Sequence, residues 1–520
     1  MPPRIISTDE AAALINDGDM VVAGGNGGMA PEGIYAAVER RFLATGKPKG
    51  LTLYHVTGVG AVDDESVGLN HFAHVGLVKR VIGGNFGPMI RFMKTLITTD
   101  AIEAYNMPQG VLSQLCRAMA AGQPGVVTHV GLHTFMDPRQ EGGRMNAAAT
   151  ESFVELVELA GREWLFYRVP SPNICFIRGT TADEDGYVSM EHEPTTREEL
   201  SMAMAVHNAG GTVVCQVERL APPRSLDPRL VRVPGFLVDY LVVEPEQWQT
   251  YGTRFDPTTC GEATSPPSAI PPHPLDARRV MTRRAAFEIR AGDVVNLGVG
   301  VSAEIPNVAA EEGIVEQFTP TVEAGVIGGV PGSVRMFGTA TNPRAIIDQA
   351  YQFDFYDGGG LDVAFLSFAE VDAQGNVNVT RFGDRNDGAG GFINISQNAK
   401  RLVFSGTLTG GGLNVDVNND TIEIRREGRI KKFVPVVRQM SYNGAVGRER
   451  GQSVLFITER AVFQHTQDGL IVTEIAPGVR LQEDVLDQIG FAVHVSPELA
   501  PMDPRLFREG PMGLAASFGA

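Results

Sequence analysis

Two stretches of this chain, 274 residues apart, repeat one pattern. "AALINDGDMVVAGGNGGMAPEGI" (residues 12–34) and "AAFEIRAGDVVNLGVGVSAEIPNVAAEEG" (residues 285–313) set Ala12 against Ala286, Gly18–Asp19 against Gly292–Asp293, Val21 against Val295 and Gly24 against Gly298. Each predicts a helix, a Gly-Asp turn, a buried strand, a glycine loop and a second helix. A second echo pairs "TADEDGYVSM" (181–190) with "EVDAQGNVNV" (370–379), an acidic turn followed by an alternating strand. Two copies of one α/β unit account for both echoes. Between the copies lies "GEATSPPSAIPPHPLD" (261–276), whose five prolines favour extended, non-helical chain. The expected division is an amino-terminal half 1–265, a proline-rich linker 266–275 and a carboxyl-terminal half 276–520.

Within each half, β-branched runs such as "GTVVCQV" (211–217) and "LDVAFLSF" (361–368) alternate with helical patterns, read at "ATESFVELVELA" (149–160) and "NPRAIIDQAY" (342–351). The expected fold class is α/β: two related open, mostly parallel, doubly wound domains with glycine loops at the carboxyl ends of their strands, where such sheets bind ligands. A net charge of −17 excludes a broad nucleic-acid surface, which needs a basic stripe. No apolar run approaches the 18 or so residues of a membrane span. The start, "MPPRIISTDEAAALINDGD", has no apolar core and is acidic early, unlike a secretory or transit segment. Cys116, Cys175, Cys215 and Cys260 lie 40 or more positions apart and read as reduced thiols of a cytoplasmic protein.

Several motifs carry weak chemical signals. The loops "AGGNGG" (23–28) and "NLGVG" (296–300) let backbone approach a ligand and aim N–H groups at negative charge. Neither spells the dinucleotide fingerprint, which disfavours a dehydrogenase. His129 and His133 are four apart in a glycine-interrupted, β-rich segment, so no metal site is expected. "ADEDG" (182–186) lacks a full calcium loop, and "MEHEP" (190–194) reads as an exposed loop. The basic pairs Lys400–Arg401, Arg425–Arg426 and Lys431–Lys432 read as solvated faces, with one of them a candidate for a nucleotide phosphate. No serine elbow or phosphate-binding P-loop occurs. There remains "FTPTVEAGVIGGVPGS" (318–333), in which Glu323 is the one charged residue. It is either a loop carboxylate or a nucleophile; carboxylates form covalent intermediates with activated acyl groups such as thioesters, and glycine loops supply donors for the oxyanion.

"TVEAGVIGGVPGS" resembles the active-site segment of family I CoA-transferases. Five further stretches do so in collinear order: "EAYNMPQGVL" (103–112), "GLHTFMDPR" (131–139), "IRGTTADEDG" (177–186), "GGFINISQNAKRLVFSG" (390–406) and "ITERAVF" (457–463). The likeness is greatest to the fused, single-chain propionate/acetate type and runs from about residue 5 to about 510. It implies an enzyme exchanging CoA between a short-chain acyl-CoA and a carboxylic acid through a γ-glutamyl-CoA thioester on Glu323. It implies Gln109 as a donor at the acyl site, Gly24 and Gly25 in an oxyanion loop, Asn296, Gly298 and Gly300 in a second loop approaching CoA, and Gly390 and Gly391 in a turn lining the CoA site. No permanently bound cofactor or metal is implied, CoA being part of the substrate, and relatives form homodimers or homotetramers. Neither nucleic acid nor membrane is an expected partner. Three departures stand out: Gly25–Asn26 where an aromatic is usual, Gly300–Val301–Ser302 where Gly-Ile-Pro is usual, and Ala324 where serine or asparagine is usual. Other readings are an acyl-CoA hydrolase using the same intermediate and a non-catalytic CoA-binding protein.

Overall fold

The computed structural model describes residues 2–266, 274–332, 334–383, 385–418 and 420–518. Most of the expected linker, residues 267–273, lies outside the described residues. The first half builds one sheet from β1 (Arg4–Ile5), β2 (Met20–Ala23), β3 (Leu51–His55), β4 (Val78–Gly83), β5 (Glu103–Asn106), β6 (Ile174–Asp183), β7 (Thr212–Ala221) and β8 (Tyr240–Val243). Their order is β1-β8-β7-β6-β2-β3-β4-β5, every neighbouring pair along this path parallel, while off the path the short strand Val188–Ser189 pairs antiparallel with β6 and with Val231–Val233. The second half builds another from β9 (Val294–Leu297), β10 (Thr319–Val322), β11 (Val326–Ile327), β12 (Ala345–Ile346), β13 (Val363–Ser367), β14 (Arg401–Ser405), β15 (Ser453–Ile457), β16 (Ala461–Thr466), β17 (Gly469–Ile475) and β18 (His494–Pro501). Here the order is β12-β11-β10-β9-β13-β14-β15-β16-β17-β18, with a parallel centre from β10 to β15. Both sheets are the mostly parallel α/β type that the alternation of runs predicts.

Parallel strands are buried on both faces and so read as continuous apolar runs. β2 shows how: Met20 and Val22 join one core, Val21 and Ala23 the other. Helix α1 (Thr8–Ala13) opens with a capping box, in which Glu10 N–H donates to Ser7 Oγ and Ser7 N–H to the Glu10 carboxylate. α1 and α2 (Glu32–Thr45) cover one face, and α3 (Gln109–Ala120) and α4 (Glu199–Asn208) cover the other. In the second half α5 (Ala277–Ala286) and α6 (Ile305–Glu311) pack on one face. The opposite face is covered by α7 (Gln349–Asp357) and α8 (Phe392–Asn398). No helix among the described residues is long and apolar enough to cross a membrane.

The repeat holds bond by bond. Gly18 and Gly292 both take positive φ, +85° and +81°, and donate to Lys49 O and Gln317 O. Asp19 and Asp293 each accept from the N–H three residues earlier, at 2.7 Å, and their carbonyls take Thr52 N–H and Thr319 N–H. Gly24 N–H donates to Phe176 O and Gly298 N–H to Phe365 O, both at 2.9 Å. The acidic turns match too: Asp183 and Asp372 each accept N–H groups two and four residues on.

Two expected helices need correction. Residues 154–159 form a strand, paired antiparallel with Arg162–Arg168. Ala160 (φ +52°) and Gly161 (φ +71°) reverse the chain there in the manner of a hairpin turn, which ends any helix. In "NPRAIIDQAY" the helix starts only at Gln349, because Arg344 and Ile347 N–H groups donate to Ile327 O and Gly325 O and make residues 345–346 an edge strand. "MEHEP" is likewise no exposed loop, since Glu193 is buried between Arg178 (2.8 Å) and Arg197 (3.0 Å).

A Cβ at Gly24 would lie 2.6 Å from Phe176 O and 3.0 Å from a Glu199 oxygen, whereas at Gly298 the nearest atoms lie at 3.0 Å. Overpacking against backbone costs about 1–3 kcal/mol. Gly24→Ala is therefore expected to lower the melting temperature more than Gly298→Ala, and equal losses in thermal denaturation would refute this ranking.

Candidate active site

Glu323 stands at the corner of the β10–β11 hairpin. Gly325 N–H donates to Val322 O at 3.0 Å and closes a turn that holds Glu323 beyond the carboxyl end of β10. Gly325 has φ +97°, and a Cβ there would meet Ile347 O at 2.0 Å, so this position requires glycine. Ala324 fills an apolar cluster with Val322, Val326 and Ala340. A serine or asparagine there would bring a polar group into this apolar cluster.

The carboxylate lies against the backbone of Gly391: a Cβ at that glycine would be 2.8 Å from Glu323 Oε2 and 3.0 Å from the Phe353 ring. Among the described residues no Lys, Arg or His forms an ion pair with it. Burial pushes its pKa up to about 7, and the Gln109 amide pulls the other way. Gln109, the first residue of α3, is 2% exposed, and its Nε2 has no full hydrogen bond. The Glu323 carboxylate is the group that this amide acts on.

Gln109 and Glu323 belong to different halves, and the turn 387–391 joins them. Phe86 N–H donates to Asp387 O (2.7 Å), Ala389 N–H to Asn106 Oδ1 (2.9 Å), Gly390 N–H to Gly84 O (2.7 Å) and Gln109 N–H to Gly390 O (2.9 Å). Gly110 N–H reaches Asn394 Oδ1 at 3.2 Å. Asn106 Nδ2 in turn donates to Gly83 O and Gly84 O. On the far side Thr196 Oγ1 donates to Asp348 at 2.8 Å, and Arg197, buried between Glu193 and Glu199, offers its carbonyl to Gln349 N–H.

Behind Glu323 runs a polar relay. Asn296 Nδ2 donates to the Tyr356 hydroxyl (3.2 Å), which donates to Thr321 Oγ1 (2.7 Å), which donates to Val295 O (2.8 Å). Burial pushes Tyr356 well up, against the pull of Thr321 and Asn296, and the nearby Glu323 charge adds to the rise. The relay ties β9, β10 and α7 together with neutral groups.

The structure thus brings Glu323, Gln109, Gly390 and Gly391 together. Asn296 is buried in the relay rather than open to a ligand. Gly298 approaches β13 closely, while Val299 and Gly300 are exposed beyond it, Val299 by 63%. Gly24 and Gly25 pack against Phe176, Glu199, Met29 and Val59; the Gly24 N–H is engaged by Phe176 O, and its carbonyl by the Tyr35 hydroxyl. The expected oxyanion loop therefore has its first N–H committed to the sheet. His129 Nε2 meets Asn398 Oδ1 at 2.7 Å, and the described residues hold no group of three or more His, Cys, Asp or Glu suited to a metal. Sequence reasoning missed Asn106, Asn394, Phe353 and Tyr356. For the last two a signal existed: Gln349, Gln352, Phe353 and Tyr356 repeat at helical spacing on the buried face of α7, and glutamines in such a stripe mark a polar interior.

A family model described as coenzyme A transferase matches residues 5–244. The acetate CoA-transferase YdiF of Escherichia coli (strain K12) is 44% identical over 98% of both chains. The caffeate CoA-transferase of Acetobacterium woodii is 42% identical over 99% of both. Crystal structures of YdiF from E. coli O157:H7, as apoenzyme and as a thioester complex with CoA, each align with TM-score 0.93 at 42% identity, covering 98% of this chain and 97% of theirs. The chain belongs to the coenzyme A transferase family and is a CoA-transferase.

A carboxylate whose folded pKa is raised from 4.5 to about 7 favours the protonated fold, so it adds stability at low pH and removes it as pH rises through about 7. Glu323→Gln is expected to stabilise the protein at pH 8 by up to about 3 kcal/mol and to change little at pH 4. Denaturant titrations at the two pH values check this; equal effects at both would refute the raised pKa. Gln109→Leu removes the opposing pull, so the pH range over which Glu323 costs stability is expected to extend to higher pH in the same titrations.

Proposed function

We propose that this enzyme moves CoA from an acyl-CoA to a carboxylic acid by ping-pong exchange through a γ-glutamyl-CoA thioester on Glu323. The observation that carries this reading is a carboxylate without an ionic partner among the described residues, buried against glycine backbone at the seam of the two halves. Unpaired burial is poor design for a structural carboxylate but suits a nucleophile, whose attack disperses its charge. Ionised Glu323 adds to the thioester carbonyl; the C–S bond breaks, CoA leaves as thiolate, and an acyl-glutamyl anhydride remains. The thiolate then attacks the glutamyl carbonyl, the acyl group departs as carboxylate, and CoA is held as a thioester of Glu323. A second carboxylate reverses these steps. Gln109 Nε2, lacking another partner among the described residues, would donate to the oxyanion. Both half-reactions are acyl transfers, so no electrons are exchanged and no resident cofactor is required.

Two relatives of nearly equal identity bear the names of acetate and caffeate, acids of very different size. The acid is thus set by a few pocket walls rather than by overall likeness. Phe353 and Gln109, which adjoin the Glu323 carboxylate, are the first such walls. The test is borohydride trapping after incubation with acetyl-, propionyl-, butyryl- and caffeoyl-CoA. Reduction of the Glu323 side chain to an alcohol is expected with at least one ester. Glu323→Ala is expected to lower exchange at least ~10³-fold with the circular dichroism spectrum unchanged. Retained exchange would remove Glu323 from the mechanism, and CoA release without exchange would make the enzyme a hydrolase.

A further inference from the structure

The three basic pairs read above as solvated faces, 400–401, 425–426 and 431–432, hold six side chains, and five of the six have partners. Lys400 Nζ donates to Asp362 (2.8 Å), and Arg401 to Asp293 and Glu288 O (2.6 Å each). Arg425 donates to Asp416 (2.6 Å), Arg426 to Gly412 O (2.7 Å) and Lys431 to Asp487 O (2.7 Å). Lys432 is different. Its ammonium lies 4.1 Å from the centroid of the Phe368 ring and makes no hydrogen bond or ion pair among the described residues. A Cβ on Gly406 would come within 2.7 Å of Nζ, so that glycine leaves the space the ammonium occupies. The neighbouring carboxylate, Glu459, is engaged elsewhere, by Arg460 at 2.6 Å and by Leu408 N–H at 2.9 Å. Burial pushes Lys432 down to about 8, with the Glu459 charge pulling the other way. A largely desolvated cation that has a ring face and a distant, otherwise engaged carboxylate but no hydrogen-bond acceptor among the described residues is poorly compensated.

Its place in the sheet says what would compensate it. Glu323 follows β10, Gly298–Gly300 follow β9, Phe368 follows β13 and Gly406 follows β14; these four strands are adjacent, parallel and in that order. Their carboxyl ends form one rim. Along it a Cβ on Gly300 would meet Ser367 Oγ at 2.7 Å, Ser367 Oγ donates to Val299 O at 2.8 Å, and Phe368 comes next. Three strand spacings of ~4.8 Å put the two ends of this rim about 14 Å apart. The pantetheine arm, from sulfur to first phosphorus, matches about four extended residues, ~15 Å. A thioester on Glu323 with its arm laid over the 298–300 loop therefore delivers its first phosphate near Lys432.

We infer that Lys432 binds a phosphate of the CoA nucleotide, with the exposed Val299–Gly300 backbone and Ser367 as the floor under the pantetheine arm. This rests on the reading of Glu323 given above. A charge-assisted contact to phosphate adds affinity without touching the reacting atoms, so the loss belongs in KM for the CoA ester. Lys432→Gln is expected to raise that KM about tenfold or more, to leave KM for the acid unchanged, and to be partly rescued by Lys432→Arg. With acyl-pantetheine, which has no phosphate, wild type and Lys432→Gln are expected to behave alike, which also shows that the variant is folded. With acyl-dephospho-CoA, a penalty that persists assigns the pyrophosphate and one that vanishes assigns the 3′-phosphate. An equal penalty with acyl-pantetheine, or no penalty with any ester, overturns the assignment. If Glu323→Ala is inactive while Lys432→Gln has wild-type KM, the anchor alone fails. If Glu323→Ala still transfers CoA, the reading beneath it fails.

Discussion

The docking of residues 387–391 onto the first half is the constraint on which the site depends. Each half has its own sheet and cores, yet neither contains the neighbourhood of Glu323 by itself. That neighbourhood exists because Asn106 and the backbone of Gly84 and Gln109 hold the Gly390–Gly391 turn by hydrogen bonds of 2.7–2.9 Å. The turn presents Gly391 to the carboxylate and seats Gln109 beside it. A side chain at residue 391 would displace the carboxylate, and loss of the Asn106 bonds would free the turn that carries Gly391. The peptide groups involved are buried, so their pairing is obligatory once the halves meet, and the geometry is fixed before any substrate arrives.

The duplicated unit has been put to unequal use. Gly24 and Gly298 perform the same packing task, their N–H groups given to the neighbouring strand. Beyond that shared point the copies diverge. In the second, the loop opens at Val299–Gly300 toward solvent; in the first, residues 25–29 are buried and hydrogen-bonded among themselves and to Gly58. Asn26, where the family usually carries an aromatic, is 1% exposed and lies against Gly338 of the other half. One glycine loop has thus become an internal strut and the other an outward-facing rim.

The fold was legible because a doubly wound sheet writes itself into sequence as apolar runs, Gly-Asp turns and glycine loops, here twice over. Glu323 stood out as the one charge in a glycine-rich, β-branched stretch, but that stretch alone left a loop carboxylate and a nucleophile both open, and the family resemblance supplied the preference. What escaped had physical reasons. "FVELVELA" fits helical and strand spacing alike, and only the left-handed pair Ala160–Gly161 decides between them. Glu193 looked solvated because its partners Arg178 and Arg197 approach from other segments, and ion pairing of that kind leaves no local signature. Asn106 and Asn394 act across the seam between halves, where periodicity carries no information. The loop glycines were recognised as special, but sequence could not separate Gly24 and Gly298, required by close strand approach, from Gly300, whose position on the exposed rim only the structure reveals.

Glu323 and Gln109 come from opposite halves of one polypeptide. Were the halves separate chains, the fraction of complete sites would fall on dilution according to their mutual affinity. Covalent continuity makes the encounter intramolecular, with an effective concentration of order millimolar for a short connection. Completeness of the site is thereby independent of how much protein is present.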